Sequence, residues 1–365
     1  MLDSGTVNMR PEDVAVLLGR EARSPDMRPA RDFVRGQTVL VTGAGGSIGS
    51  ELCREVVAMG CGKLVALEHS DHALIDLQES LGAVRTPVID VLCDVRDPQR
   101  LSAAFERTRP DVVIHAAALK HVHMGERHPG ESVLTNLVGV RNAVEAASKA
   151  GVGHFLLISS DKAAAPGSVM GASKRLAELY LRSVGAESKM RTLSVRFGNV
   201  FGSKGSVAPL FARQIANGGP ITITHPEMRR YFMTVQEAVQ LILLVLARGG
   251  DESATYLLDM GEPVKIVDIA RRMIARANAM TAVEITGLRE GEKLDEELYD
   301  AFEEIEPAAI AGVLRIRPTS EDFAITAQDI TELERVVRAK SDDIVRHRVF
   351  ALLDRRLEQG VSEVG

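Results

Sequence analysis

A glycine-rich turn between a predicted strand and a predicted helix constrains the fold of this chain more than any other feature. The stretch VLVTGAGGSIGSEL places Gly43, Gly46 and Gly49 after an apolar run and at the start of an amphipathic one. Glycines let a backbone turn sharply and approach a pyrophosphate, whose charge is met by the amino terminus of the helix. The turn therefore predicts a dinucleotide site that includes Ser47 and Ile48; the alternative is a tight turn without a ligand.

After its first 36 residues the chain alternates β-branched runs with amphipathic stretches. The strand candidates are TVLVT, KLVALE, TPVIDV, DVVIHAA, HFLLIS and RTLSVRF. The helix candidates between them include SELCREVVAM, PQRLSAAFERT, ESVLTNLVGVRNAVEAASKA and SVMGASKRLAELYLRSV. This order is typical of an α/β fold, and we predict a Rossmann-type doubly wound parallel sheet wrapped by helices.

Length and the later rhythm of the sequence predict a smaller lobe and a helical tail. A chain of 365 residues exceeds the size at which one core stops growing. After residue 200 it is rich in Gly, Pro and Ser, and short elements there would close over the carboxyl ends of the main strands. We divide the chain into an N-terminal arm (1–35), a dinucleotide-binding Rossmann domain (36–200), a mainly substrate-binding lobe with some segments returning to the sheet (201–325), and a tail of two charged amphipathic helices (326–365).

Acidic residues at the ends of the next two strands indicate which dinucleotide binds. Glu68 ends the second strand nineteen residues after Gly49 (68 − 49 = 19), where a carboxylate would bind the ribose hydroxyls of the adenosine. His69 and Ser70 follow, without an adjacent arginine for a 2′-phosphate, so NAD is favoured over NADP. Asp94 would hold the adenine amino group or, alternatively, cap the next helix. Further predicted cofactor contacts are Val95, Ala116 and Ala117.

Charge and hydropathy exclude several classes of protein. A net charge of −6 argues against general attraction to nucleic acid or to an anionic membrane. No stretch reaches the ~20 apolar residues that span a bilayer, and the first residues lack the apolar core of a signal peptide. Three scattered cysteines fit a reducing compartment, so we expect a soluble, cytoplasmic protein. His121 and His123 would share a face on a strand, but no matching ligand group accompanies them, and a structural or substrate-contact role is favoured over a metal site.

The segment SSDKAAAPGSVMGASKR contains Met170 four residues before Lys174. At that spacing a nucleotide-binding oxidoreductase would carry a tyrosine, whose phenol takes a proton from a substrate hydroxyl as hydride leaves the same carbon. A thioether cannot exchange a proton, and helix packing alone would account for a methionine. Upstream, Asp161 and Lys162 provide a carboxyl and an amine at the end of the fifth strand, where an acid and a base would reach one substrate. The alternative for this pair is a solvated ion pair on a loop.

The chain resembles one family in a series of motifs that run from about residue 12 to residue 298. The motifs are TGAGGSIGSEL, HAAALKHV, SSDKA, VMGASKRLAE, RFGNVFGSKGSV, THPEMRRYFMT, LDMGEPVKI and GLREGEKLDEEL. In these motifs the chain is similar to nucleoside-diphosphate-sugar 4,6-dehydratases of the extended short-chain dehydrogenase/reductase superfamily, in the polysaccharide-biosynthesis branch that acts on UDP-N-acetylglucosamine. Membrane-anchored members carry transmembrane helices before this domain, so the resemblance implies a naturally soluble member or an excised catalytic part.

The resemblance implies catalytic roles for five residues. In one subset of the branch methionine replaces the tyrosine, and a neighbouring serine, aspartate and lysine carry the proton transfers; these map to Ser160, Asp161 and Lys162. Asp161 is then the acid and Lys162 the base, while Ser160 helps to deprotonate the 4-hydroxyl. Lys174 binds the nicotinamide ribose. Met170 is the residue that places the chain in this methionine-containing subset, whose members, by resemblance, retain the configuration at C5.

A nucleotide sugar carries a diphosphate, which an acidic protein binds through local cations. The candidate cations are Lys120, Arg230 and Arg289. The loop GSKGSV offers backbone amides around Ser203 and Ser206. Further predicted substrate contacts are His121, Asn199 and Val207.

The predicted reaction is the conversion of UDP-N-acetylglucosamine to a UDP-4-keto-6-deoxy-N-acetylhexosamine by C4 oxidation, elimination of water across C5 and C6, and hydride return to C6. The family usually has proline where His123 and Glu290 stand, so a 4,6-dehydratase of another nucleotide sugar stays open. An epimerase or reductase on the same fold and a non-catalytic NAD(H)-binding regulator are competing hypotheses. We also expect a homo-oligomer in which the helices at 131–150 and 168–184 pair with their copies.

Overall fold

The computed structural model describes residues 11–250, 253–319 and 324–361. Residues 1–10 of the predicted arm and 362–365 of the predicted tail lie outside the described residues. The strands are β1 (Thr38–Thr42), β2 (Lys63–Glu68), β3 (Val88–Leu92), β4 (Val112–His115), β5 (His154–Ile158), β6 (Arg191–Arg196), β7 (Asn199–Phe201), β8 (Ile221–Ile223), β9 (Arg229–Arg230), β10 (Phe232–Thr234), β11 (Ala254–Leu258), β12 (Val264–Lys265), β13 (Val283–Ile285), β14 (Glu303–Pro307) and β15 (Val313–Pro318). The α-helices are α1 (Pro11–Leu18), α2 (Arg28–Val34), α3 (Ser47–Ala58), α4 (Asp71–Leu81), α5 (Pro98–Thr108), α6 (Val122–Arg127), α7 (Pro129–Val133), α8 (Gly139–Ala150), α9 (Val169–Glu187), α10 (Val207–Ala216), α11 (Val235–Arg248), α12 (Ile266–Arg276), α13 (Ala327–Ala339) and α14 (Asp342–Val361). Within these ranges, none of the helices has both the length and the apolar character that crossing a membrane requires.

A nine-stranded sheet runs through the described structure in the order β14-β15-β11-β6-β5-β4-β1-β2-β3. The strands from β3 to β11 in this order are parallel to their neighbours, whereas β15 and β14 are antiparallel at one edge. The strand order reverses between β1 and β4, which is the switch point where α/β folds bind ligands. The predicted doubly wound α/β fold is confirmed, and all six strand candidates form strands of this sheet.

Helices cover the sheet on both faces. In β1, Val39 and Val41 belong to one hydrophobic core and Leu40 belongs to the other, because successive side chains of a strand point to opposite faces. Helices α3 and α11 contribute to the first core, and α5, α8 and α9 contribute to the second. Burial of both faces explains why these strands appear as continuous apolar runs in the sequence.

The helix predicted over residues 131–150 is not continuous. Helix α7 runs into a π-helical turn, Leu134–Val138, before α8 begins. Within that turn the Asn136 side chain binds the backbone N–H and C=O of Leu119 and the hydroxyl of Ser173. A π-turn is frequent near functional sites. Here it brings a buried amide to the loop after β4, a detail that apolar periodicity does not predict.

The histidine-rich segment after β4 is helical rather than extended. His121 precedes α6 and His123 lies within it, with ring centroids 5.8 Å apart and an interplanar angle of 53°. The expectation that the two rings share one face of a strand is therefore wrong. Buried Glu126 of the same helix accepts a hydrogen bond from the Val169 N–H at 2.7 Å, which joins α6 to the start of α9.

A third hydrophobic core holds the smaller lobe together. It draws on α1, α10 and α12, with Leu17, Phe211 and Ile269 among its residues. The segment predicted as an N-terminal arm thus contributes α1 to this lobe. Arg20, just after α1, forms an ion pair with Glu237, which is part of the capping box of α11. By contrast, β11, β14 and β15 return to the main sheet.

The two C-terminal helices cover α8 and α9. Side chains of α13 and α14, Leu333 and Val349 among them, share a core with both helices, and Arg141 of α8 pairs with Glu334 of α13 at 2.8 Å. Every residue of α9 from 169 to 181 is buried within this single chain. The chain's own tail thus packs on these turns, and the expected pairing of α8 and α9 with a second copy stays a prediction.

Candidate active site

The glycine-rich turn forms one wall of a cleft of about 500 Å³ at the switch point of the sheet. Gly43 has a φ of +62°, and a Cβ there would lie 2.7 Å from the backbone nitrogen of Ala117. A Cβ at Gly49 would lie 2.0 Å from the Gly43 carbonyl oxygen, so α3 packs directly on the turn. Side chains are thus excluded and the turn presents backbone to the cleft. The predicted cofactor contacts that line it are Gly43, Gly46, Glu68, Asp94, Val95, Ala116 and Ala117.

Glu68 ends β2 with its buried carboxylate at this cleft. Oε1 accepts hydrogen bonds from the N–H groups of His69 at 2.9 Å and Ser70 at 3.2 Å, and Oε2 accepts one from Gly45 at 3.1 Å. Three backbone donors therefore orient the carboxylate and join it to the glycine-rich turn. A carboxylate in this position suits a ribose diol and repels a 2′-phosphate.

Asp94 and Arg96 form an ion pair at the edge of the same cleft. Arg96 donates to Asp94 Oδ2 from Nε at 2.8 Å and from Nη2 at 2.6 Å, and to Glu131 from Nη1 at 2.7 Å. Burial raises the pKa of Asp94, but the hydrogen bonds from Arg96 outweigh it and the net pKa is lowered. Helix α5 is capped by Asp97, so the alternative role of Asp94 as a helix cap is wrong.

The acid–base candidates meet on one 3₁₀ turn, Asp161–Ala163, shortly after β5. Ser160 caps the turn: its Oγ accepts from the Lys162 N–H at 3.3 Å and donates to Asp161 Oδ1 at 2.9 Å. The Asp161 N–H donates to the Phe197 carbonyl, which fixes the turn at the carboxyl edge of β6. Asp161 Oδ2 is buried and has no hydrogen-bond partner within the described residues. Within the described residues, the hydrogen-bonding capacity of that oxygen is therefore unused.

Lys162 lies between two carboxylates. Its Nζ is 3.0 Å from Asp161 Oδ1 and 3.4 Å from Glu296 Oε1, and Asn199 Oδ1 is 3.5 Å away. Burial lowers the pKa of Lys162, but the charges of Asp161 and Glu296 outweigh it and the net pKa is raised. The ammonium is therefore charged here, and it becomes a base only after giving up a proton. The alternative of a solvated pair is wrong, since the Asp161 side chain is fully buried and that of Lys162 is 17% exposed.

Lys174 and Met170 lie one turn apart on buried α9. Lys174 Nζ donates to the Ile158 carbonyl at the end of β5, at 2.8 Å. Burial lowers the pKa of Lys174 to about 8. Met170 packs beside Gly125 of α6, where a Cβ would lie 3.0 Å from the Met170 Cβ. The amine predicted to bind the nicotinamide ribose thus reaches the strand end that precedes the acid–base turn.

Several predicted substrate contacts meet at residues 202–206. Lys120 Nζ donates to the Lys204 carbonyl at 2.7 Å and to Ser203 Oγ at 3.4 Å, and the His121 ring packs against the same loop. Burial lowers the pKa of Lys120. The Lys204 N–H donates to Ser47 Oγ at 3.0 Å. The loop therefore connects the predicted substrate contacts with the glycine-rich turn.

Arg230 differs from its predicted role. Its buried guanidinium donates to the carbonyls of Lys293 and Leu294 at 2.8 and 2.9 Å, and its Nε is 3.5 Å from Glu296. These contacts stabilise the loop after β13. The geometry corrects the expectation of an arginine that presents its charge to a diphosphate.

The remaining predicted substrate contacts are dispersed. Arg289 is exposed in the loop after β13, close enough to His123 to contribute, after burial, to the lowered pKa of that histidine. Ser206 precedes α10 and Val207 begins it; Ser206 Oγ is buried without a partner in the part of the chain that the structure describes.

Several charged residues of the site were not predicted. Arg96 and Lys204 line the dinucleotide cleft, and Glu296 contacts Lys162. Lys204 lies in the motif RFGNVFGSKGSV and Glu296 in GLREGEKLDEEL, so both motifs already point to this region. Their partners could not be inferred, because Glu296 is 134 residues from Lys162 (296 − 162 = 134) and only the fold brings them together.

The sequence matches known proteins over most of its length. The model of a family described as polysaccharide biosynthesis protein matches residues 39–318. The probable polysaccharide biosynthesis protein EpsC of Bacillus subtilis is 39% identical over 95% of this chain and 58% of the relative. A UDP-N-acetylglucosamine 4,6-dehydratase (inverting) of Campylobacter jejuni is 32% identical over 64% of this chain and 71% of the relative. UDP-glucose 4-epimerases of Rickettsia species are also similar.

Solved structures share the fold. The X-ray structure of Pen from Bacillus thuringiensis has a TM-score of 0.72 and 29% identity, covering 85% of this chain and 99% of that chain. The chain spans about half the length of the first curated relatives, EpsC and the capsular polysaccharide biosynthesis protein CapD of Staphylococcus aureus.

Proposed function

This chain belongs to the polysaccharide biosynthesis protein family and is related to nucleotide-sugar 4,6-dehydratases and 4-epimerases, and on that basis we propose that it is an NAD-dependent 4,6-dehydratase of UDP-N-acetylglucosamine. The buried pair of Asp161 and Lys162, with Lys174 at the same strand end, carries the proposal. Epimerisation at C4 needs one group that exchanges a proton, whereas elimination of water also needs an acid and a base at C5 and C6. In this proposal Asp161 is the acid and Lys162 the base, and 3.0 Å separates Asp161 Oδ1 from Lys162 Nζ.

The cleft suits a dinucleotide because a Cβ cannot be accommodated at Gly43 and Gly49 and because the Glu68 carboxylate is already oriented. Gly43 and Gly46 would hold the pyrophosphate, Glu68 the adenosine ribose and Lys174 the nicotinamide ribose. Bound NAD would supply hydride transfer from C4 and back to C6.

The chain's own residues would move the protons. Ser160 takes part in removing the proton of the 4-hydroxyl, and the charge of Lys174 favours the resulting alkoxide. The C4 ketone acidifies the C5 proton, which neutral Lys162 accepts and later returns to C5. Asp161, as the carboxylic acid, gives a proton to the C6 hydroxyl as the C6–O bond breaks and water leaves. The proton from O4 replaces the one that Asp161 loses, so the site regains its starting protonation.

Two observations support UDP-N-acetylglucosamine as the substrate. The Campylobacter jejuni relative is described as acting on it. Lys120, with its amine beside Ser203 and Lys204, provides a partly desolvated cation next to the cofactor cleft, as a nucleotide diphosphate requires.

Met170 supports the retaining variant of the reaction. That relative is described as inverting, so the proposal of retention rests on the methionine and its motif alone. The expected product is UDP-2-acetamido-2,6-dideoxy-α-D-xylo-hexos-4-ulose, and an L-arabino product at early times would overturn retention while leaving the dehydratase intact.

Incubation of the chain with NAD and UDP-N-acetylglucosamine, followed by mass spectrometry and NMR, tests the proposal. Loss of one water and coupling constants of a 4-keto-6-deoxy sugar are expected, with deuterium entering C5 in deuterated water. A product of unchanged mass would favour the second candidate, a 4-epimerase, which the similarity to Rickettsia epimerases supports. Tight NAD binding without turnover of UDP-, GDP- or dTDP-sugars would instead identify a non-catalytic NAD(H)-binding regulator.

A further inference from the structure

A second carboxylate faces the amine of the acid–base pair. Glu296, in the loop after β13, places Oε1 3.4 Å from Lys162 Nζ, and its side chain is only 8% exposed. Lys162 therefore has one counterion on its own turn, Asp161, and another from a segment more than a hundred residues away. A nearly buried carboxylate needs such a partner, because an unpaired buried charge is strongly unfavourable.

Arg230 holds this carboxylate in place. Its Nε lies 3.5 Å from the same Glu296 oxygen, while its terminal nitrogens bind the carbonyls of residues 293 and 294, three and two residues before Glu296. One guanidinium thus fixes both the backbone of the loop and the carboxylate it carries. The orientation of Glu296 toward Lys162 is a consequence of the fold.

We propose that Glu296, held by Arg230, is the positioning residue for Lys162: it fixes the direction of the amine and acts as its second counterion. This inference rests on the proposed function, in which Lys162 exchanges a proton with C5 of the sugar.

The charges around Lys162 explain what Glu296 controls. Asp161 and Glu296 favour the charged amine, burial and the charge of Arg230 oppose it, and Asn199 contributes a neutral amide. Tyr231, between β9 and β10, is an uncharged phenol whose pKa is raised by burial and by several acidic neighbours, Asp161 among them.

The two proposed roles require a single proton shift within this group. A charged pair of carboxylate and ammonium becomes a neutral pair of carboxylic acid and amine when one proton moves from Lys162 to Asp161 across 3.0 Å. The Asp161 acid and the Lys162 base then exist together with no change in the total number of protons. Glu296 stabilises the charged form and thereby sets the pH at which the pair loses its shared proton.

Replacement of Glu296 with glutamine tests this role. Glu296→Gln keeps the shape and removes the charge, and Glu297→Gln is the matched control, since Glu297 is exposed and paired with Lys293 instead. The pKa of Lys162 is followed by NMR of lysine labelled with ¹³C at Cε, with its signal identified by its absence in Lys162→Met. In Glu296→Gln we expect that pKa to fall by about one to three units, the range for loss of an opposite charge at this distance.

The same change is expected in catalysis. The alkaline limb of kcat/KM with UDP-N-acetylglucosamine should move to lower pH in Glu296→Gln by the same amount, and should stay in place in Glu297→Gln. A Lys162 pKa that is unchanged by Glu296→Gln, or changed equally by both variants, overturns the inference. A Lys162 pKa below the ordinary lysine value in the unaltered protein overturns it as well, even where the variant does not fold.

The NMR titration needs no turnover. If the protein does not dehydrate the sugar, the proposed function fails, while the titration still decides whether Glu296 is the second counterion of Lys162.

Discussion

Replacing Asp161 with asparagine is expected to separate the two halves of the proposed reaction. Asp161 Oδ1 accepts from Ser160 Oγ, from the Lys162 N–H and from Lys162 Nζ. The amide oxygen of asparagine can keep these bonds, and its NH₂ then stands where Oδ2 is buried without a partner among the described residues. An amide cannot give a proton to a departing hydroxyl. Because a positioned acid contributes about 10²- to 10⁴-fold, we expect kcat for dehydration to fall by that factor, or ~3–5 kcal/mol of transition-state stabilisation.

Two signals in one single-turnover experiment distinguish the steps. Oxidation at C4 is measured as the absorbance of the reduced nicotinamide after substrate is added. Dehydration is measured as the loss of one water in mass spectrometry. In Asp161→Asn the first signal should appear and persist, while the second is delayed. Met170→Leu is the control and should keep substantial activity, because a thioether exchanges no proton. A fall of less than tenfold in Asp161→Asn, or equal losses in both variants, would refute this reasoning.

Three further predictions concern the cofactor, a buried lysine and a buried ion network. Glu68→Ala should weaken NAD binding by roughly tenfold to a hundredfold, the cost of lost bonds to a charged acceptor; calorimetry checks this, and tighter binding of NADP than NAD by the unaltered protein would contradict it. Burial lowers the pKa of Lys174 from 10.5 to about 8. Between these two pH values the unfolded chain binds a proton that the folded chain does not, so the free energy of unfolding should rise with pH by up to ~3 kcal/mol from this group. Urea titrations should show that rise reduced in Lys174→Met. Arg196→Met removes one of two arginines that the buried carboxylates of Glu178 and Glu303 share, and Arg175 then stays between them. This variant should lower the free energy of unfolding by about 3–5 kcal/mol, whereas Arg317→Met on the exposed pair with Glu306 should cost less than about 1 kcal/mol.

The sheet and the dinucleotide cleft were predictable because their signals are local. Five of the six strand candidates are apolar runs buried on both faces, while β3 lies at the sheet edge and is partly exposed. Gly43 and Gly49 of the turn meet neighbours that leave no space for a side chain. Glu68 follows from its distance along the chain to that turn, since β1 and β2 are adjacent in the sheet. In these cases position in the sequence almost determines position in space.

Contacts between distant segments were not predictable in the same way. Nothing in the periodicity of residues 131–150 indicates the π-turn at Asn136, because the extra residue leaves the apolar pattern readable as one helix. The tail was predicted as two helices, and α13 and α14 lie there within the described residues, but amphipathic patterns do not specify what such helices pack against. In the structure they share a core with α8 and α9 of the same chain.

Arg230 illustrates the same limit for charged residues. A cation in a motif invites assignment to a diphosphate, yet its donors serve the loop after β13 and Glu296. Composition and spacing identify a charge, whereas only the fold determines whether that charge faces a ligand or a neighbouring carboxylate.

The location of the acid–base pair explains how methionine at 170 is compatible with the proposed chemistry. Asp161 and Lys162 are held by a turn after β5 through Ser160, Phe197 and Glu296, and Lys174 is oriented by a strand carbonyl, so these contacts do not involve the side chain at 170. Met170 itself is buried against α6, where a phenol would need a hydrogen-bond partner and a thioether does not. A methionine there removes one proton-exchanging group without displacing the others. In the proposed reaction, proton exchange at C5 and C6 would then depend on the end of β5 and on the loop that carries Glu296, while α9 would contribute Lys174.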